Sequence, residues 1–309
     1  MLNEDLNRRG FLHCMRWAGT GLLWTVTAGV PVSRLLGEGK KRDAAEGFSF
    51  IQISDSHIGF NSIESNRANP DVSATLQETI AKINATPEQP EFLIHTGDIT
   101  HFAKPGEFDT ASGILKSAKT KDIFYVPGEH DVLSDQGKRY QQLYGRSDRT
   151  WYSFDHKGVH FIGLTNVLGM KEGWGMLGDE QLMWLENDLA GKSSSTPIVV
   201  FAHIPLWAIY PQWGWVTGDS ERALAALKRF GSVTVLNGHI HQILQKVEGN
   251  VTFHTAMSTA FPQPKPGAAP SPGPMKVPLE QLRSMLGLTS VKFVRGEAAL
   301  AVIDSTLAP

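Results

Sequence analysis

Five histidines of this chain, His57, His130, His203, His239 and His241, stand in short polar clusters at the ends of apolar runs. The clusters are Ser54-Asp55-Ser56-His57, Thr96-Gly97-Asp98, Gly128-Glu129-His130-Asp131, Ala202-His203 and Gly238-His239-Ile240-His241. Divalent metals of intermediate softness accept imidazole nitrogen and carboxylate oxygen, and two such ions about 3.5–4 Å apart need one ligand able to bridge them. Asp98, a lone carboxylate after its apolar run, suits a bridge. Asp55 and His57, one residue apart, can reach one ion from a single loop, and His239 and His241 repeat the spacing. Gly97, Gly128 and Gly238 beside the ligands permit tight turns and close backbone approach. Cys14 is the only cysteine and lies in the N-terminal segment, so neither a thiolate metal site nor an internal disulfide belongs to the folded body. Taken singly, each histidine reads as a structural hydrogen-bonding residue; the set carries the metal reading. His95, His101, His156, His160 and His254 fall outside the pattern and read as structural, with His101 the nearest to an exception because it follows the Gly97-Asp98 loop.

The elements that must position these residues repeat one phrase. Phe48–Ile53, Phe92–Ile94, Ile123–Val126, Ile198–Phe201 and Val233–Leu236 are β-rich runs that each stop at one of the clusters. Helical periods lie between several of them: Val72, Leu76, Ile80 and Ile83; Leu182, Leu185 and Leu189; and Ala223 to Leu227. Trp151–Phe154 with Val159–Leu164, and Ile243–Val247 with Val251–Thr255, read as hairpins around Gly158 and Gly249. The mixture predicts an α/β fold of two packed sheets with helices outside, the strand-end clusters converging at one rim. Residues 262–278 are dense in Pro, Gly and Ala and read as an irregular strap, followed by a short helix near Leu279–Leu286 and a last hairpin, Val291–Val294 with Ala298–Ile303. Two aromatic stretches, 206–215 and Trp174 in the loop 171–178, read either as a substrate-facing wall or as loops packed on the body.

With 309 residues, 41% hydrophobic and 19% charged, the chain can bury a substantial core. A formal net charge of -2 carries no electrostatic signature of a nucleic-acid backbone or an anionic membrane surface as partner.

The ordered series Asp55-x-His57, Gly97-Asp98, Gly128-Glu129-His130-Asp131, His203 and Gly238-His239-x-His241 resembles the signature of calcineurin-like metallophosphoesterases over residues 48–255. The resemblance implies a four-layer sandwich, two mixed sheets flanked by helices, holding two transition-metal ions drawn from Fe, Mn and Zn, divalent or mixed-valence. It implies that Asp55, His57 and His241 hold the first ion, that His203, His239 and the residue at 129 hold the second, and that Asp98 bridges. His130 would protonate the leaving oxygen, oriented by Asp131. Such a pair clamps a phosphate and lowers the pKa of a bridging water, whose hydroxide attacks phosphorus in line. One departure is Glu129, where the family has asparagine. Purple acid phosphatases place a tyrosine three residues after the bridging aspartate, where this chain has His101, so their pigment is not expected. The leading Asp-x-His looks more like the bacterial class III phosphodiesterase branch, which makes a small phosphoester, diester before monoester, the expected substrate. The alternative is a noncatalytic metal- or phosphate-binding protein on the same scaffold.

Asn7-Arg8-Arg9-Gly10-Phe11-Leu12 ahead of an apolar stretch from Trp17 to Val32 resembles a twin-arginine signal. It divides the chain into a signal and linker, 1–45, and a catalytic domain, 46–309, and implies export through the twin-arginine translocation machinery to the periplasm or another extracytoplasmic site. The stretch is shorter than the roughly 18–20 residues of a spanning helix. No small-x-small cleavage site stands out, so an uncleaved membrane anchor remains the alternative fate.

Overall fold

The computed structural model describes residues 22–27, 30–35, 47–60, 68–120, 122–146, 148–295 and 300–308. The chain falls into two units, Met1–Ala45 and Glu46–Pro309. In the first, β1 (Leu22–Thr27) and β2 (Val30–Leu35) pair antiparallel. The twin-arginine segment, 7–12, lies outside the described residues.

The second unit contains two mixed sheets. One has five strands: β3 (Phe48–Ile53), β4 (Leu93–His95) and β5 (Ile123–Tyr125) run parallel, and β12 (Gly287–Phe293) and β13 (Ala301–Thr306) extend it antiparallel in the order β13-β12-β3-β4-β5. The other has six, in the order β10-β11-β9-β8-β7-β6, built from β6 (Tyr152–His156), β7 (Val159–Gly163), β8 (Ile198–Ala202), β9 (Val233–Asn237), β10 (Gln245–Glu248) and β11 (Val251–Thr255). Its central strands β7, β8, β9 and β11 are parallel.

Side-chain alternation along the strands divides the apolar residues between layers. Phe48 and Phe50 of β3, with Phe92 and Ile94, meet Phe161, Val199, Phe201 and Leu236 of the facing sheet in one buried cluster. The opposite faces pack on helices. Ile51, Ile53 and Leu93 lie under α1 (Val72–Asn84) and α2 (Pro105–Leu115), together with Tyr140 and Tyr144 of α3 (Lys138–Tyr144). Val200, Val233 and Val235 lie under α4 (Asp179–Ala190) and α5 (Ser220–Leu227). Helix α1 starts where Asp71 accepts the Ala74 N–H at 3.0 Å, an N-cap, and buries Val72, Leu76, Ile80 and Ile83 along one face. The result is a helix–sheet–sheet–helix sandwich.

Two helices, α2 and α3, go beyond the sequence patterns. Helix α2 opens with Pro105 at its first position and buries Phe108, Ala111, Ile114 and Leu115. The strap 262–278 carries no regular secondary structure and leads to α6 (Leu279–Met285). The closing pair differs in its bounds from the expected hairpin. Strand β12 begins at Gly287 because Gly287 and Leu288 already pair with Thr306 and Ser305 of β13, and its residues 289–293 pair with β3 as well. No helix among the described residues is long and apolar enough to cross a membrane.

Candidate metal centre

Every loop carrying a candidate site residue leaves the C-terminal end of a parallel strand: Asp55 and His57 after β3, Asp98 after β4, Glu129 and His130 after β5, His203 after β8, His239 and His241 after β9. Asp55 (φ 55), His57 (φ 42), Asp98 (φ 52), His239 (φ 70) and His241 (φ 55) all adopt the left-handed backbone region. That region costs an L-residue roughly 1–2 kcal/mol and collects at functional sites, where the surroundings enforce it. Here the loops enforce one another. Asp55 N–H donates to the Gly97 carbonyl at 3.0 Å, His57 N–H to Asp98 at 2.9 Å, and Gly238 N–H to His203 at 3.0 Å. A Cβ on Gly128 would overlap the Asp98 carboxylate, so this approach requires glycine.

Donor atoms converge in two groups around one oxygen. Asp55, His57 and His241 form one group able to hold a cation, and Glu129, His203 and His239 form another. Oδ2 of Asp98 lies 3.5 Å from His57 Nε2 and 3.4 Å from His203 Nε2, between one histidine of each group. His241 Nε2 is 3.3 Å from Asp55 Oδ1, while Glu129 reaches His203 Nε2 through Oε2 and His239 Nδ1 through Oε1, both at 2.9 Å. Yet His203 Nε2, both ring nitrogens of His239 and Oε2 of Glu129 are buried without a hydrogen-bond partner. Nitrogen and oxygen lone pairs crowded at this distance are what a shared cation relieves, so the residues fit a dinuclear centre.

The histidines are aimed through their far nitrogens. Nδ1 of His203 donates to the Thr96 carbonyl at 2.7 Å and Nδ1 of His241 to the Phe261 carbonyl at 2.6 Å, which leaves each Nε2 facing the centre. Burial, then His130, His241 and His101, hold His57 well below the usual imidazole value, hence neutral and able to ligate. Burial would raise the carboxyl of Glu129, but His239 and His203 outweigh it and hold it well below the usual range. Burial would also lower His203, yet Asp98 and Glu129 outweigh it and hold it well above the usual imidazole value. His130 behaves likewise, raised by Asp98 and Glu129 against burial.

Asp131 departs from its expected role. Its carboxylate accepts from the N–H groups of Gly128 (3.0 Å), Ile99 (3.1 Å) and Thr100 (2.8 Å) and from the Thr100 hydroxyl (2.9 Å). It therefore ties the 128–131 loop to the Asp98 loop and does not orient His130. His130 Nδ1 donates instead to the main-chain carbonyl of His101 at 2.7 Å.

The structure adds residues that the sequence patterns passed over. His101 joins the site, its Nδ1 3.1 Å from His57 Nδ1. Gln263, at the start of the strap, donates to the His239 carbonyl at 2.9 Å. His101 was signalled by its place after Gly97-Asp98. Phe261 acts through its backbone, which carries no sequence signal, and Gln263 stands in a segment without period. His95, His156, His160 and His254 are each held by a hydrogen bond outside the two groups. In the aromatic stretches, Trp215 is fully buried and Trp207 packs on Phe253, while Trp174 is 39% exposed and donates to the Pro211 carbonyl.

A sandwich of two mixed sheets whose parallel strands deliver histidines and carboxylates to a two-ion rim defines the class of dimetal phosphoesterases. The chain belongs to the calcineurin-like phosphoesterase family, whose profile matches residues 48–243. It is 26% identical over 201 residues to a glycerophosphodiester phosphodiesterase, GpdQ, of Enterobacter lignolyticus, an alignment covering 63% of this chain and 71% of that protein. It is equally 26% identical over 201 residues to a probable cyclic nucleotide phosphodiesterase of Rhodococcus erythropolis, covering 62% of this chain and 65% of that one. Among solved structures, a dimetal phosphatase from Danio rerio shares the fold, with a TM-score of 0.60, 15% identity, and 84% and 99% of the two chains covered.

Proposed function

We propose that the chain is an exported dinuclear-metal hydrolase that cleaves phosphodiesters in preference to phosphomonoesters. The observation that carries the hydrolase reading is the single Asp98 oxygen set between a histidine of each ligand group. Asp55, His57 and His241 would hold one ion, Glu129, His203 and His239 the other, and Asp98 both, with Fe, Mn or Zn as the ions this donor set suits. When bound, such a pair neutralises a phosphate and supplies the attacking group from water. His130, buttressed through Nδ1 and raised in pKa, is the proton donor for the leaving oxygen.

Glu129 supports the diester preference. It adds a third carboxylate to Asp55 and Asp98, and that charge repels a dianionic monoester more than a monoanionic diester. The named diesterases among the relatives point the same way. The test is metal-dependent turnover of bis-p-nitrophenyl phosphate against p-nitrophenyl phosphate in the parent and in Glu129→Asn. The variant should lose part of its second metal and raise the monoesterase share by about tenfold, ~1.4 kcal/mol. An unchanged ratio with unchanged metal content rejects the role of Glu129. No turnover of either ester by metal-loaded parent favours the noncatalytic binding protein.

Export rests on the Arg8-Arg9 pair ahead of the apolar stretch, and the twin-arginine translocation machinery is the partner it implies. Arg8→Lys with Arg9→Lys should leave precursor inside the cell. Normal extracytoplasmic levels of that double variant reject the assignment. Retention of the segment would add a membrane contact.

A further inference from the structure

We infer that His101 is a positioning residue of the centre, accepting the Nδ1–H of His57 on its imidazole and the Nδ1–H of His130 on its carbonyl. The inference rests on reading the rim as a metal centre. The two Nδ1 atoms of His57 and His101 lie 3.1 Å apart, so one carries the hydrogen and the other the lone pair. His57 Nε2 faces His241 Nε2 at 3.3 Å and Asp98 Oδ2 at 3.5 Å, on the cation side. A histidine that ligates through Nε2 carries its proton on Nδ1, which makes His57 the donor and His101 the acceptor. His101 is then the tautomer protonated on Nε2.

The acceptor is held rigidly. His101 is 8% exposed, and its ring stacks on His130 at 4.5 Å between centroids and meets Phe60 and Phe102 edge-on at 5.3 Å and 4.5 Å. Its N–H donates to the Ile58 carbonyl at 2.9 Å, and Ile58 N–H donates to Ile99 at 3.0 Å, so the loop carrying His57 and the loop carrying Asp98 are zipped together at this residue. One side chain thus aims a ligand of the first ion, while the same residue's main chain aims the acid. The two contacts are separable by mutation, because substitution removes the imidazole and keeps the carbonyl.

His101→Phe retains a ring against Phe60, Phe102 and His130 but has no acceptor for His57. His101→Asn offers an amide oxygen in its place. With Zn2+ as the probe and a chromogenic chelator as competitor, His101→Phe should bind one of its two ions, the one His57 holds, 10- to 100-fold less tightly than the parent and leave the other unchanged. His101→Asn should recover at least half of that loss on a logarithmic scale. Residual activity should keep the parent's ratio between esters of good and poor leaving groups, since the His130 contact survives. Parent-like Zn2+ affinity in folded His101→Phe overturns the inference, as does an Asn variant no better than Phe. If His101→Phe does not fold, His101→Met carries the same comparison. A parent that takes up no Zn2+ overturns the metal-centre reading itself, which separates the two failures.

Discussion

At the scale of single residues, the site depends on which atom of a histidine is left free. His130 spends Nδ1 on the His101 carbonyl, so its other nitrogen is the one available to a substrate. His130→Ala should therefore keep both metals, because Asp55, His57 and His241 on one side and Glu129, His203 and His239 on the other leave each ion three donors besides Asp98, and should lose activity according to the leaving group. General-acid help is worth about 10²–10⁴-fold, needed most by a poorly stabilised alkoxide. Turnover of alkyl diesters should fall by roughly that range and that of nitrophenyl esters by much less. Equal losses on both would show that His130 is not the acid. Asp131 was legible as a site residue but not in its role: a carboxylate one residue from His130 invites a dyad, yet three backbone N–H groups within 3.1 Å hold it to the loop.

At the scale of elements, a buried histidine between two carboxylates braces the sheet edge away from the candidate metal centre. His160 on β7 sits between two carboxylates, its Nδ1 2.8 Å from Asp155 of β6 and its Nε2 2.7 Å from Asp188 of α4. Ser153 donates to Asp188 as well, at 2.6 Å. Burial would raise the Asp188 carboxyl, but the hydrogen bonds with His160 and Ser153 outweigh it and hold it below the usual carboxylate range. A carboxyl with a depressed folded-state pKa stabilises fully above its unfolded value and loses that contribution as pH falls through the folded one. Asp188→Asn should cost about 2 kcal/mol near pH 7, a Tm drop of roughly 5 °C. The gap to the parent should narrow once pH falls below about 4. A gap of constant size from pH 7 to pH 2 would contradict this account.

For the molecule as a whole, the rim is held in place at a cost to the fold. Five candidate ligand residues sit at positive φ, and buried His203, His239 and Glu129 atoms lack hydrogen bonds. Cations that bind the folded state alone stabilise it by RT ln(1 + [L]/Kd), about 4 kcal/mol at a thousand times Kd. Exhaustive chelation should lower the Tm by roughly 10 °C, and Mn2+ or Zn2+ should restore it. Identical melting of chelated and metal-loaded protein would count against the dinuclear centre.

The residue types of the candidate ligands, their spacing and their strand-end positions were all legible in the sequence, because each is a local property of an apolar run and the polar cluster that stops it. The periods of α1, α4 and α5 were legible for the same reason, since Leu76 and Ile80 or Leu182 and Leu185 mark one helix face without any tertiary partner. Sheet order was not, because strand periodicity names a buried face and not a neighbour; β12 lies beside β3 across more than two hundred intervening residues. Helix α2 was hidden by the Pro-Gly that opens it, which reads as a turn until Phe108 and Ile114 find the five-stranded sheet. The aim of each histidine was decided by tertiary structure alone. Carbonyls at Thr96, His101 and Phe261 select the tautomers, and a carbonyl is present at every residue, so only the folding of distant loops against one another determines which one a ring meets.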